Sequence, residues 1–534
     1  MKTALKPLLF IVTIILLTSN CAKKGMPTGG PKDSIAPLMV TASPPYASTF
    51  FKAKKIKLYF NEFITLKDIN QQLIVSPPLK NPPVITPQSS PTKVITIKFS
   101  DTLKQNTTYT FNFGNSVQDN NEGNKLESFK YVFSTGNYID SLKASGKVQD
   151  AFQQKFDKNI KVLLYKVDTT FKDSIIYKQK PTYLTSTLDS TLFKITNVAS
   201  GKYLLIALKD ASNNYIFNPK EDKIGFYNRF IELPKDSIIT EPISLFKEIS
   251  TFKFTRPKEI TKGKILFGFE GSRKNIQIQL LSDVPDTFKD IQQLDLEKDT
   301  VHYWHSPMVK DSLVFKVSNH VFTDTVTVFL RKKKIDSLQI NSNISSVLDL
   351  KDTLTLTTNN PLTKVDTSKI EFVKSDTIKI PYTYSIDTTT NKLKFLFKKE
   401  FETSYKLALH PKALTDFFNI SNDSLHYAFK TKKIEDYGSI TLNINNQTIS
   451  SVFVELLSEK GTVVQKAFPI NNTVTFNLLP PGKYTVRAII DSNKNNSWDT
   501  GNYLQKIQPE KIIYFGTLFN VRSDWHLKEV FTIK

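Results

Sequence analysis

The sequence predicts an all-β chain of tandem β-sandwich modules, each of about a hundred residues. Apolar residues recur with period two, as in Ile56, Leu58 and Phe60 or Tyr109, Phe111 and Phe113, the spacing that places them on one face of a strand. Breaks such as Pro77-Pro78, Pro82-Pro83, Pro87 and Pro91 separate these runs, and no helical period of useful length interrupts them between residues 37 and 136. A length of 534 residues suggests three to five domains, and 40% hydrophobic with 12% aromatic residues is ample to fill their cores.

Ahead of the modules, Lys2 and Lys6 precede an uninterrupted apolar run from Leu8 to Leu17. Ten residues of helix cover only about 15 Å, half of a hydrocarbon core of roughly 30 Å. Residues 1–20 therefore read as a cleaved signal peptide and not as a membrane span. Thr18-Ser19-Asn20-Cys21 resembles the lipobox of bacterial lipoproteins, with Asn20 where that family prefers Gly, Ala or Ser. The resemblance implies acylation of the Cys21 thiol, cleavage just before it, and two or three acyl chains that tether the protein stably to a membrane. Residues 21–36, rich in Gly, Pro, Lys and Ser, form a flexible spacer. Ala22-Lys23-Lys24 stands where surface-exported lipoproteins carry acidic residues, so the expected location is the outer membrane facing the periplasm, with the cell surface as the alternative.

The formal charge is +22, or +20 once Lys2 and Lys6 leave with the signal. A nucleic-acid partner is not expected. Only six of the 72 basic residues are Arg (Arg229, Arg256, Arg273, Arg331, Arg487 and Arg522), whereas phosphate recognition favours the bidentate guanidinium fork. The lysines scatter along strands, as in Lys55-Ile56-Lys57, and the densest run, Arg331-Lys332-Lys333-Lys334, reads as an exposed linker. Contact with anionic lipopolysaccharide or glycan fits such a surface. Cys21 is the single cysteine, so no internal disulfide is available and the cores alone must hold the modules together.

Residues 37–137 form the first module. Asp33-Ser34-Ile35-Ala36-Pro37, Phe60-Asn61-Glu62-Phe63, Asn106-Thr107-Thr108-Tyr109, Asp119-Asn120-Asn121-Glu122 and Tyr131-Val132-Phe133-Ser134-Thr135 together resemble the bacterial Ig-like domain of the S-layer-protein type, found at the head of large lipoproteins in the Bacteroidota. What this implies is a seven-stranded spacer or adhesive sandwich with no catalytic residues.

Residues 140–245 form a second β unit, and residues 436–534 a fifth. Gly201-Lys202-Tyr203, Ala207 and Asp210 in the one match Gly482-Lys483-Tyr484, Ala488 and Asp491 in the other at equal intervals, each set following an aromatic strand that holds Phe193 or Phe476. The shared phrase resembles the transthyretin-like, or carboxypeptidase-regulatory-like, domain, which implies an accessory and non-catalytic fold. Residues 248–340 read as a β-sandwich of unassigned type. It holds His302 and His305, which at a spacing of three point to opposite faces of a strand and so do not grip one metal. Residues 345–432 read as a divergent copy of the first module: Tyr405, Phe429 and Thr431 repeat the spacing of Tyr109, Phe133 and Thr135, and Asn359 to Leu362 stand for Asn61 to Ile64. The Asp119 to Glu122 cluster shows no clean counterpart there.

Two loops carry metal-ligand chemistry. Asp119-Asn120-Asn121-Glu122 offers oxygen ligands, although Asx turns explain such a loop without a metal. Asp491, Asn493, Asn495 and Asp499 open like an EF-type calcium loop and are the candidate calcium ligands. That loop needs Gly at its sixth position, where Asn496 stands, and Glu at its twelfth, where Asn502 stands, so an Asx-stabilised hairpin pinned by Trp498 is the alternative. The related Asp210 to Asp222 loop keeps the polar character without the spacing. No other cofactor is expected.

H-E-x-x-H, G-x-S-x-G, Walker A and G-x-G-x-x-G are all missing from the sequence, and six histidines are scattered over it. The expected protein is a lipid-anchored, non-catalytic cell-envelope scaffold, structural or binding protein or glycan, with modules strung in tandem and no large cleft of their own. The alternative is an accessory component, or an enzyme of unrecognised type, of a glycan- or peptide-processing system.

Overall fold

The computed structural model of the protein describes residues 33–534, apart from residues 251, 272–274, 296–297 and 332–333. The signal peptide, Cys21, most of the spacer and Lys332-Lys333 of the basic run lie outside the described residues. Strands dominate, and the α-helix Ile69–Gln72 is a single turn. Among the described residues no helix is long and apolar enough to cross a membrane. The chain divides into two compact units. One holds the chain up to Ala144 with Thr182–Leu188 and Lys194–Ser200; the other holds Ser145–Pro181, Asp189–Phe193 and Gly201–Lys534.

In the first unit, strand Lys55–Leu66 pairs with Met39–Ser43, Thr92–Lys98 and Val117–Asp119. Its register sets Ile56 against Ile97 and Leu58 against Ile95, so the period-two rows face one way. Thr108–Gly114 joins Ile74–Ser76 and Phe129–Ser134 in the facing sheet. Ile56, Leu58, Ile95, Ile97, Phe111, Phe113 and Phe133 are sealed between the two sheets. Each contributes roughly 1.5–3 kcal/mol by leaving water.

The corner that closes this module recurs in the fourth, contact for contact. Phe133 stacks on Tyr109 at 5.5 Å, and the Tyr109 hydroxyl accepts from the Lys104 amide (2.9 Å). The Thr135 hydroxyl donates to the Lys104 carbonyl (2.7 Å) and accepts from the Thr107 amide (3.0 Å). In the fourth module Phe429 stacks on Tyr405 at 5.3 Å, and the Tyr405 hydroxyl accepts from the Glu400 amide (2.8 Å). Thr431 donates to the Glu400 carbonyl (2.6 Å) and accepts from the Thr403 amide (3.1 Å).

One expectation is corrected here, because Asp119 does have a counterpart. It lies opposite Ile64 on the neighbouring strand, as Asp416 lies opposite Leu362. Asp119 accepts from the amides of Asn121, Glu122, Gly123 and Asn124 (2.7–3.2 Å). Asp416, wholly buried, accepts from Phe418 (2.9 Å), Ile420 (2.8 Å) and the Asn360 side chain (2.8 Å). The role needs one carboxylate and a turn of backbone, so Phe417-Phe418-Asn419 serves as well as Asn120-Asn121-Glu122 and hides the likeness.

In the third module, inner strands Lys264–Glu270 and Thr300–His305 are flanked by Lys253–Thr261 and Asp290–Asp295. Ile265, Phe267, Tyr303, Leu313, Phe315 and Val317 form its core. Trp304 points to the opposite face, yet it is 1% exposed. The fourth module reaches this face through Lys264, which donates to the Asn359 carbonyl (3.4 Å), and Gln293, which bonds Asn391 (2.5 Å).

The second and fifth modules share one topology. Lys161–Lys166 pairs with Gly201–Lys209, setting Val162 opposite Ala207; Ser451–Ser458 pairs with Gly482–Asp491, setting Val454 opposite Ala488. On the far side of the long strand, Tyr203 faces Ile231 and Tyr484 faces Phe519. Each module also carries a parallel pair, Leu142–Asp150 with Ile243–Leu245 and Gly438–Asn446 with His526–Ile533.

These two modules also pack on each other, a return contact that a simple tandem string does not contain. Tyr503 is fully buried: its amide donates to Glu248 Oε1 (2.6 Å), its hydroxyl to the Asp173 carbonyl (3.2 Å), and its ring meets Phe226 edge-on at 5.5 Å. Gly501 makes this approach possible, since a Cβ there would lie 2.6 Å from the Phe246 ring and 2.7 Å from the Ile507 carbonyl. Arg487, 5% exposed, grips Glu455 through Nε (2.8 Å) and Nη2 (2.7 Å), stacks on Phe152 at 4.2 Å, and donates to the Phe152 carbonyl (3.2 Å).

Candidate functional site

The candidate calcium loop folds around its own amides. The Asp491 carboxylate, 1% exposed, accepts from the backbone of Asn495 (3.1 Å) and Asn496 (2.9 Å). Asp499 Oδ2 accepts from both side-chain amides, Asn493 (2.6 Å) and Asn495 (2.7 Å), so the four candidate ligands do come together. Asn496 takes the left-handed conformation (φ 62°) that the sixth position of an EF-type loop demands of Gly. The carboxylate absent at Asn502 is supplied from elsewhere: Glu510 accepts from the amides of Ser492 (2.8 Å) and Asp499 (3.1 Å). Burial pushes the Glu510 carboxyl above its usual range; those amides pull it down, while Asp499 and Asp491 add to the rise. Glu510 was invisible to spacing arguments because it arrives from beyond the loop. Trp498 pins the loop through its indole N–H on the Glu510 carbonyl (2.9 Å) and its ring on Phe152 (4.8 Å).

As a cation site the arrangement is a poor fit. The Asn oxygens and Asp491 are occupied by amide hydrogens, and Lys466 donates to the Asn496 carbonyl, which places an ammonium group at the loop. Among the described residues, no cluster of three or more His, Cys, Asp or Glu side chains could hold a metal ion.

The equivalent loop of the second module is closed by Asp222, which accepts from the Ala211 (2.9 Å) and Asn218 (2.8 Å) amides. Burial raises the Asp222 carboxyl above its usual range, partly offset by those amides. Below it Lys161, 4% exposed, sits opposite Leu208. Burial lowers its ammonium to about 8, against the pull of Asp210.

The histidine pair separates as its spacing requires. His302 lies beside Trp304 (5.4 Å) and His305 beside Tyr303 (6.3 Å), on opposite faces of the strand. Burial, helped by Lys264, pushes His302 down to about 4; burial lowers His305 as well.

The accessible concavity lies where the second and fifth modules meet. It is an open groove of about 680 Å³, walled on one side by Gln149, Gln153 and Tyr227 and on the other by Gln508 and Tyr514. No sequence signal marks it, because its two walls lie in separate modules of the chain. The Tyr514 hydroxyl donates to the Phe152 carbonyl (2.8 Å). Gln508 donates to the Phe226 carbonyl (2.9 Å) and Asn228 Oδ1 (2.6 Å).

Comparison with known proteins identifies one module. Residues 33–135 match the family model of the bacterial Ig-like domain, in agreement with the resemblance of the first module. No curated protein sequence matches the chain. Among solved structures it is similar to the Bacillus anthracis TIE protein, at 11% identity over 95% of this chain and 76% of that one, with a TM-score of 0.14. It is similar to the major pilin subunit of Bacillus cereus, at 10% identity over 73% and 99% of the two chains (TM-score 0.14). Domains 1–6 of the surface layer protein SbsC align at 11% identity over 88% and 67% (TM-score 0.14).

Proposed function

We propose that the protein is a lipid-anchored, non-catalytic binding scaffold of the cell envelope, tethered by Cys21 to the periplasmic face of the outer membrane. The observation that carries this reading is how the modules use their carboxylates. Asp119, Asp416, Asp222 and Asp491 each hold two to four backbone amides of their own loop. Carboxylates so engaged are structural. The accessible groove is then the place for a partner, protein or glycan.

A second reading, an accessory component or enzyme of a glycan- or peptide-processing system, draws on Asp150, Glu241 and Glu510 in that groove. Asp150 is paired with Lys223 (2.6 Å) and Glu510 with backbone amides, which leaves Glu241 as the candidate acid. Fatty-acid labelling of cells, comparing wild type with Cys21→Ser, and protease shaving of intact cells test the anchor and its face. Label on wild type alone, with digestion only after permeabilisation, is the expected result. Turnover of polysaccharide or peptide substrates abolished by Glu241→Gln would overturn the non-catalytic reading.

A further inference from the structure

We infer that the groove between the second and fifth modules binds an uncharged oligosaccharide, a reading that rests on the scaffold role proposed above. Five primary amides, Gln149, Gln153, Gln154, Asn228 and Gln508, and two phenol rings, Tyr227 and Tyr514, line it. That combination matches sugar chemistry. A primary amide donates and accepts at once, as a sugar hydroxyl does, and a phenol ring packs against the C–H face of a pyranose while its polar tip stays wet. Gln508 is already oriented, because its NH₂ group is held by Phe226 and Asn228, so its carbonyl oxygen is what it presents.

Charge points the same way. On a chain of formal charge +22, the groove sets Lys147 and Lys511 against Asp150, Glu241 and Glu510, so an anion finds no net attraction there. An adjoining cleft of about 430 Å³ shares Gln153, Gln154 and Tyr514 with the groove, which makes one trough along the Phe152 to Lys155 loop. A trough of this kind accommodates several linked sugars. An extended peptide fits less well, because the edge strands bordering it, Ile243–Leu245 and Ile512–Tyr514, are three residues long, and the longer strand Leu142–Asp150 is paired on both sides.

The test is isothermal titration of the full chain with cello-, xylo-, laminari-, manno- and chito-oligosaccharides of two to six units. The expected result is saturable binding of at least one series that strengthens with length and is insensitive to salt. The double variant Gln153→Ala/Gln154→Ala, in exposed positions, should weaken that binding about tenfold or more, with an unchanged melting temperature. Tyr227→Ala should do the same. Binding of none of the series, equal affinity in wild type and variants, or capture of an extended-peptide library in place of sugars would each overturn the inference. The scaffold reading is scored separately: lost sugar binding with intact Cys21 labelling sinks this inference alone, whereas sugar cleavage sinks the non-catalytic reading and leaves the groove as the site.

Discussion

Replacing Lys161 by Met is expected to remove a pH dependence from the stability of the second module. The ammonium is 4% exposed and is lowered by burial from 10.5 to about 8. At about 1.4 kcal/mol per pH unit, holding that charge inside costs about 3 kcal/mol at pH 7. A thioether of similar length leaves the same volume filled without the charge. Below pH 8 folded and unfolded chains both carry the proton, and the full cost is present. Between pH 8 and 10.5 the unfolded chain keeps a proton that the folded chain has released, so wild-type stability climbs with pH across that window. Relative to wild type, Lys161→Met should therefore lose about 1.4 kcal/mol per pH unit above pH 8, on top of a pH-independent cost for the contacts that Lys161 makes. Urea unfolding followed by tryptophan fluorescence measures it, because Trp498 reports on the second module through its contact with Phe152. A stability difference between variant and wild type that does not change between pH 7 and 9.5 would refute the reasoning.

Arg487→Ala leaves Glu455 half-buried without its partner and strips Phe152 of its cover, and should cost about 3–5 kcal/mol; a red shift of Trp498 emission at lower urea is the readout. Asp119→Ala orphans four backbone amides and should cost about 2–4 kcal/mol in a thermal melt. Burial works to raise the Asp119 carboxyl, but those amides outweigh it and hold it below the usual range. Its contribution is thus complete above the ordinary carboxylate pKa and disappears as pH falls through the depressed one, so the melting-temperature gap between wild type and variant should close in acid. Gly501→Ala should destabilise the junction by about 1–3 kcal/mol, seen as faster amide exchange at Tyr503. Addition of calcium or EDTA should move the melting temperature by less than about 1 °C; a calcium-induced rise of several degrees would mean that the Asp491 loop holds the ion after all.

Period-two rows made the strands legible: Ile56, Leu58 and Phe60, or Leu313, Phe315 and Val317, are buried where the alternation puts them. Paired phrases made the repeats legible too, because Tyr109 with Phe133 and Gly201 with Tyr203 do jobs that fix both residue type and spacing. Asp416 escaped notice since its job is to receive amide hydrogens, and any backbone can donate those. Glu510 and Glu248 were hidden for another reason. Each acts on a segment elsewhere in the chain, Glu248 on Tyr503 at a separation of 255 residues, and no periodicity records such a meeting. The junction and its groove exist only once Gly501 has let Tyr503 in.

That junction has a mechanical consequence. Because the second and fifth modules hold one another, a pull transmitted from the second module to strand His526–Ile533 travels across Arg487, Tyr503 and Gln508. Such a pull would load the cores of the third and fourth modules only after those contacts had parted.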